Sequence, residues 1–354
     1  MPGVSDGRLR AMKKPLLRII LRLAKLTGLF LLARRLTAGD LRILCYHGAA
    51  LRDENHFSPG LFMSKETFAG RMDFLARQGY PVIGLDAAIA GLPSGDWPKG
   101  ATVITIDDGW FGTYREMAPV LRKRGFPATL YIASYYLEKE TQVFNVAVNY
   151  VLWRAGRQTL DLAEVSDELG GRYDIADARL REELRRRLGD FADSLGSAEA
   201  RQELFRRLCE TLGIDACWIE QERLCAFMRI EEARELQASG VDIQLHSHRH
   251  RFPTQSYEAV EAEIADNRRA LAPVGNPALR HFCYPSGDYD ERQISWLPRL
   301  GIVSATTIKA GFTRRGDSPY ELPRFLDSER VSLLEFEAEL SGFFELIRRC
   351  GYAI

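Results

Sequence analysis

The stretch Val103-Ile104-Thr105-Ile106-Asp107-Asp108-Gly109 constrains the fold more than any other. Its apolar, β-branched run reads as a strand buried on both faces, and it stops abruptly at two adjacent carboxylates and a glycine. Like charges side by side disfavour double ionisation. A strand end of this kind needs a cation beside it, and a divalent metal would serve. Other strand-like runs stop in a similar way: Arg42 to Tyr46 runs into His47, Val241 to Leu245 into His246, and His281 to Cys283 into Tyr284. Helical spacing fills the intervals. Phe68, Met72 and Leu75 share a face between Lys65 and Gln78, and further helices are expected over 112–124, 230–238, 256–272 (with Ser256 as N-cap) and 292–300. Additional strands are expected over 81–85, 128–133 and 302–306. Strands alternating with helices imply a parallel sheet or a β/α barrel. In such barrels the chemistry sits at the C-terminal strand ends.

At 354 residues, with 46% hydrophobic and 27% charged content, the chain is long enough for one large domain or two ordinary ones. The net charge of zero hides an asymmetry. Residues 8 to 35 carry nine Lys or Arg and no acid, leaving an acidic body. Residues 1 to 12 read as disordered. From Pro15, the basic residues Lys14, Arg18, Arg22 and Lys25 fall on one stripe, and Leu17, Ile20, Leu21 and Ala24 on another. A basic amphipathic helix of this kind can lie in the headgroup layer of an anionic membrane; its bland alternative is packing on the main domain. No apolar run is long enough to span a bilayer, and Arg18, Arg22 and Lys25 interrupt any signal-peptide core. The expectation is a cytoplasmic protein, peripheral on the inner membrane face through residues 14–33, with no nucleic-acid partner. Six cysteines include no CxxC pair, so a cysteine metal site or disulfide framework is not indicated, and Cys45 and Cys283 read as small buried residues.

His246-Ser247-His248-Arg249-His250 offers two imidazoles at i and i+4, on one face if the backbone is helical. Two His and one Asp make three protein ligands with an open position, the arrangement of a catalytic zinc site. The same set also holds Fe2+, Co2+ or Mn2+. Each motif has a bland reading alone: Asp-Asp-Gly is a common turn, a His-rich pentapeptide is usually an exposed loop, and a lone His47 is a satisfied polar residue. Their coincidence at matching strand ends is what carries the functional reading.

The chain resembles the polysaccharide deacetylase family (NodB-homology, carbohydrate esterase family 4). Thr105-Ile106-Asp107-Asp108-Gly109 resembles its T-F-D-D-G motif, His246 to His250 its H-[ST]-x-x-H motif, and Phe282-Cys283-Tyr284-Pro285-Ser286-Gly287 an F-A-Y-P-x-G version of its third. Leu44-Cys45-Tyr46-His47 and Leu322-Pro323-Arg324 are similar to a permuted subgroup that begins with Tyr-His and ends with Leu-Pro-Arg. The resemblance implies an α/β fold, a distorted (β/α)7-type barrel over residues 41–135 and 230–335. It leaves an N-terminal basic segment (1–40), a mainly helical insertion (136–229) with a small hairpin near Thr159 to Ile175, and a C-terminal helix (336–354) beside the N-terminal one. It also implies a divalent metal, Zn2+ first, held by Asp108, His246 and His250. Asp107 is implied as general base, His47 as general acid in place of the missing late histidine, and the Tyr284 N–H as oxyanion donor. Either Arg280 or Arg324 orients Asp107. The implied function is removal of an N-acetyl group from a sugar in a polysaccharide or lipid-linked glycan, in exopolysaccharide or cell-wall synthesis. The alternatives are a metallohydrolase of another small amide or acyl substrate, which a substrate panel separates, and a degenerate glycan-binding module, against which the complete Asp107, Asp108, His246 and His250 set argues.

Overall fold

The computed structural model describes residues 4–352 apart from 140, 157 and 254–255, and the backbone alone of 4–14, 138 and 139. Seven strands form one parallel sheet: β1 (Arg42–Tyr46), β2 (Thr102–Ile106), β3 (Ala128–Ile132), β4 (Val241–Leu245), β5 (His281–Cys283), β6 (Ser304–Thr306) and β7 (Phe325–Leu326). Their order is β6-β5-β4-β3-β2-β1-β7. Strands β1 to β3 are buried along their whole length, as their unbroken apolar runs require. The sheet curls until its edges meet. Leu322 bridges Thr306 in parallel, and three residues later Phe325 pairs with Leu44. Pro323 lies between them, and its missing N–H accounts for the break in that last strand.

Register fixes what leaves the sheet together. Tyr46 lies opposite Ile106, so His47 and Asp107 emerge side by side, and Ile132 lies opposite Leu245, so Ala133 and His246 do the same.

Four expected elements differ. The C-terminal helix expected over 336–354 is two, Leu333–Leu340 and Phe343–Arg349, with Gly342 left-handed between them (φ 82°). Over 81–85, only Val82 bridges Thr102, and Leu85 already opens a helix, Leu85–Gly91. The expected helix over 292–300 splits into Glu291–Ile294 and a 3-10 turn, Pro298–Leu300, because Pro298 cannot continue a helix begun before it. The helix after Asp108 starts as a π-turn, Thr113–Met117, and becomes α-helical over Ala118–Arg124.

Between β3 and β4 the chain adds helices Phe144–Ala155, Ala178–Ser194 and Ala198–Thr211, with an antiparallel hairpin pairing Thr159–Asp161 with Arg172–Asp174. Leu152, Leu184, Leu188 and Leu208 are fully buried there, in a core separate from that of the barrel.

At the start, a helix spans Val4–Leu26 and a second Leu29–Leu36, with Gly28 left-handed (φ 79°) between them. Helix therefore covers much of the stretch expected to be disordered; Met1 to Gly3 and the Lys14 side chain lie outside the described residues. Leu21, Ala24 and Phe30 pack on Ala338 and Phe344 of the C-terminal helices, and Lys25 pairs with Glu337 at 2.6 Å. The buried Arg42 guanidinium donates to the carbonyls of Asp40 and Leu340. That ties both chain ends to the N-terminal rim of the barrel. Among the described residues, no helix is long and apolar enough to cross a membrane.

Candidate active site

Asp108 follows β2 in a left-handed conformation (φ 76°), and the loop after β4 places Ser247 and His250 there too (φ 62° and 54°). Such conformations cost non-glycine residues energy and cluster at functional sites. Here they turn three side chains inward. His246 Nε2 stands 3.4 Å and His250 Nε2 3.3 Å from the same atom, Asp108 Oδ1. The loop is not helical, so the two imidazoles converge through the turns at Ser247 and His250 rather than through i, i+4 spacing.

The supporting contacts fix what each ligand atom offers. His246 Nδ1–H donates to the Cys283 carbonyl at 2.8 Å, which leaves the Nε2 lone pair facing Asp108. Trp110 Nε1–H donates to Asp108 Oδ2 at 2.7 Å, leaving Oδ1 for the two histidines. Asn267 accepts the His246 N–H and donates to Ser134 Oγ, which in turn meets His248 Nδ1 at 2.9 Å. Burial pushes the Asp108 carboxyl up, and the facing His246 and His250 more than offset this, holding it well below the usual range. Two imidazole lone pairs and an anionic oxygen converging this closely suit a divalent cation.

Asp107 points to the barrel axis and meets Arg324 in a two-pronged pair, Nη1 to Oδ1 at 2.8 Å and Nη2 to Oδ2 at 2.7 Å. Arg324 is fully buried and also donates to Thr105 Oγ1 and the Thr307 carbonyl. Burial raises the Asp107 carboxyl, the facing Arg324 charge more than offsets this, and the result is a pKa of about 2. The half-buried His47 brings a ring nitrogen within 4.8 Å of the Asp107 carboxylate.

Two expected roles do not fit. Arg280 stands just before β5, at the opposite end of the barrel, and its guanidinium pairs with Asp86 at 2.8 Å. It cannot orient Asp107; Arg324 does. The Tyr284 N–H donates to the Thr306 carbonyl at 3.2 Å, because the β5–β6 ladder runs one residue past the strand, so it is not free for an oxyanion. The Tyr284 ring stacks on Tyr289 instead, with centroids 4.5 Å apart.

Sequence reasoning missed Trp110, although it lies two residues after Asp108, and it missed Asn267 on a distant helix. It read Cys45 and Cys283 as buried, but not that their Sγ atoms sit 3.4 and 3.5 Å from Asp107 Oδ2. Burial raises the Cys45 thiol well above its ordinary range, which keeps it protonated beside the carboxylate.

A model of the polysaccharide deacetylase family matches residues 214–305, the stretch that carries His246, His250 and Tyr284. Over that quarter of its length the chain is similar to the polysaccharide deacetylase family. Members of that family are metal-dependent deacetylases, and Asp108, His246 and His250 form a possible metal site here. Solved structures agree on the fold. The deacetylase PplD of Streptococcus pyogenes, in complex with acetate, matches with a TM-score of 0.56 at 16% identity, over 85% of this chain and 98% of that one. IcaB from Ammonifex degensii matches with a TM-score of 0.53 at 18% identity, over 85% and 97%. A de-N-acetylase from Aggregatibacter actinomycetemcomitans matches with 0.52 at 14%, over 84% and 99%. No curated protein matches the chain.

Proposed function

We propose that the protein is a deacetylase that uses a single divalent ion, Zn2+ in preference to Co2+, Fe2+ or Mn2+, held by Asp108, His246 and His250, to remove acetyl groups from a glycan that is polymeric or carried on a lipid, as in exopolysaccharide synthesis. The observation that carries this reading is the convergence of both Nε2 atoms on Asp108 Oδ1, beside an ionised Asp107 that takes no part in that set. When bound, the ion supplies a Lewis acid that polarises the acetamide carbonyl and acidifies water. Asp107, held by Arg324, accepts the proton of the attacking water. His47, on the neighbouring strand end, delivers a proton to the departing amine.

The test begins with metal content. Purified protein is expected to carry or take up about one zinc or cobalt per chain and His246→Ala none, with acetate release from N-acetylated glycans by the loaded wild type. Metal-free wild type that also refuses added zinc would sink the reading. His47→Asn separates the acid from the ligands: turnover is expected to fall ~100-fold with metal content unchanged. Equal loss of both would make His47 a ligand.

We further propose that the protein is cytoplasmic and sits on an anionic membrane through its N-terminal helices. Leu16, Leu23, Leu26 and Leu36 are 60%, 57%, 82% and 63% exposed, with Ile19, Leu31 and Leu32 also out in solvent. Scattered single apolar residues are ordinary, but a contiguous set of this size marks a contact surface. Exposed Arg18, Arg22 and Arg35 on the same two helices supply the charge that anionic headgroups attract. Replacing Leu23, Leu26 and Leu36 by Glu together is expected to abolish co-sedimentation with phosphatidylglycerol vesicles. Undiminished binding would refute a membrane role for these helices.

A further inference from the structure

We infer that the insertion between β3 and β4 builds a second sugar-binding cleft for the glycan chain flanking the processed residue; this rests on the function proposed above. A cavity of about 140 Å³ lies between the insertion and the helix Tyr135–Lys139 that follows β3. Its barrel wall is Tyr135 and Tyr136, and its insertion wall includes Phe144, Arg201 and Gln202, with Gln142 beside them.

The barrel wall is continuous with the metal loop. The Tyr135 N–H donates to the His248 carbonyl at 2.9 Å, and the two rings stand edge to face with centroids 5.8 Å apart. His248 lies midway between the two candidate ligand histidines. Tyr136 packs edge-on against Phe227, and Phe227 against Trp110, whose indole N–H holds Asp108. A ligand in the cavity would therefore be separated from Asp108 by three side chains, Tyr136, Phe227 and Trp110.

The lining has the chemistry of a carbohydrate site. A pyranose has an apolar face of C–H groups, which suits an aromatic ring, and a rim of hydroxyls, which suits amides and guanidinium. Tyr135, Tyr136 and Phe144 supply rings, and Gln142, Gln202 and Arg201 supply the polar rim. Arg201 is tied by Nε–H to the Ala192 carbonyl, and its Nη2 lies 3.2 Å from Asp193. Asp193 beside it offsets part of its charge, which suits a neutral sugar better than an unpaired guanidinium would. Nor is the gap a fault of packing. The insertion's core shares Ala147 and Phe205 with the cavity wall while Leu184, Leu188 and Leu208 are fully buried, and a cavity with polar walls holds water or a polar ligand rather than standing empty.

The ligand class is thus a neutral N-acetylhexosamine oligomer, of which one unit is deacetylated while another occupies the cleft. The experiment compares kcat/KM on N-acetylglucosamine oligomers of one to five units, for the metal-loaded wild type, Arg201→Ala and Gln142→Ala. Wild type is expected to prefer the pentamer over the monomer ~10-fold or more, and each variant to lose most of that preference through KM. A wild type indifferent to length, or variants that keep its preference in full, would overturn the cleft. If no oligomer is deacetylated, the catalytic reading fails separately, and calorimetry of pentamer binding decides the cleft: affinity lowered ~10-fold in Arg201→Ala supports it, and unchanged affinity or no binding to wild type overturns it.

Discussion

Asp107→Asn is expected to lower turnover ~1,000-fold while metal content stays at the wild-type level, within the range that removal of a general base produces. The separation of the two readouts follows from the geometry. Asp107 gives both oxygens to Arg324, whereas Asp108 presents Oδ1 to both histidines. Metal lost along with activity would instead make Asp107 a ligand. The variant is also expected to lose ~3 kcal/mol of stability, because it leaves the fully buried Arg324 charge without its counter-ion. Linkage gives the sign with pH. A carboxyl depressed to about 2 in the fold contributes stability that is fully present above the unfolded value. That stability is lost as pH falls from ~4 through the folded value. Chemical denaturation of wild type against Asp107→Asn is expected to show the gap closing as pH drops over that range. A gap independent of pH would mean that Arg324 does not hold the charge of Asp107.

How much of this was readable in the chain depended on distance along it. Asp107, Asp108, His246 and His250 could be picked out because each sits at the end of a run whose apolar character already announces a strand, and the barrel gathers such ends on one rim. The arginine choice was not readable. Arg280 and Arg324 both lie near strands, and only the direction of the chain through β5, and the side on which β7 closes the sheet, decide which one faces the axis. The oxyanion donor failed for a similar reason, since whether the Tyr284 N–H is spent depends on how far the β5–β6 ladder extends. Trp110 is near in sequence, but its indole reaches Asp108 only because Asp108 and Gly109 both take positive φ, which no residue pattern around them announces. The break at Pro298, by contrast, was in plain view, and helical spacing across it was given too much weight.

Arg324→Met is expected to be the most damaging single change in the barrel, and its comparison with Arg280→Met is a direct test of which arginine matters. Arg324 and Asp107 have side chains 0% and 4% exposed, so cutting one partner leaves a buried, uncompensated charge, which costs ~3–5 kcal/mol. Arg280 and Asp86 have side chains 46% and 54% exposed, and losing a pair screened by water costs ~0–1 kcal/mol. Urea denaturation of the two variants is therefore expected to differ by several kcal/mol. Activity adds a second axis. Without the guanidinium, burial is opposed only by the weaker pull of His246 and His47, so the Asp107 carboxyl rises, the acid limb of the rate profile moves to higher pH and turnover falls at neutrality. The double variant Asp107→Asn, Arg324→Met removes both charges together. It is expected to regain much of the stability lost by Arg324→Met, since no unpaired charge remains, and none of the activity, since the base is gone. Additive losses of stability in the double variant would show that the two side chains do not act as a pair. An Arg324→Met enzyme with wild-type turnover and an unmoved acid limb would remove Arg324 from the catalytic apparatus and leave it a purely structural residue.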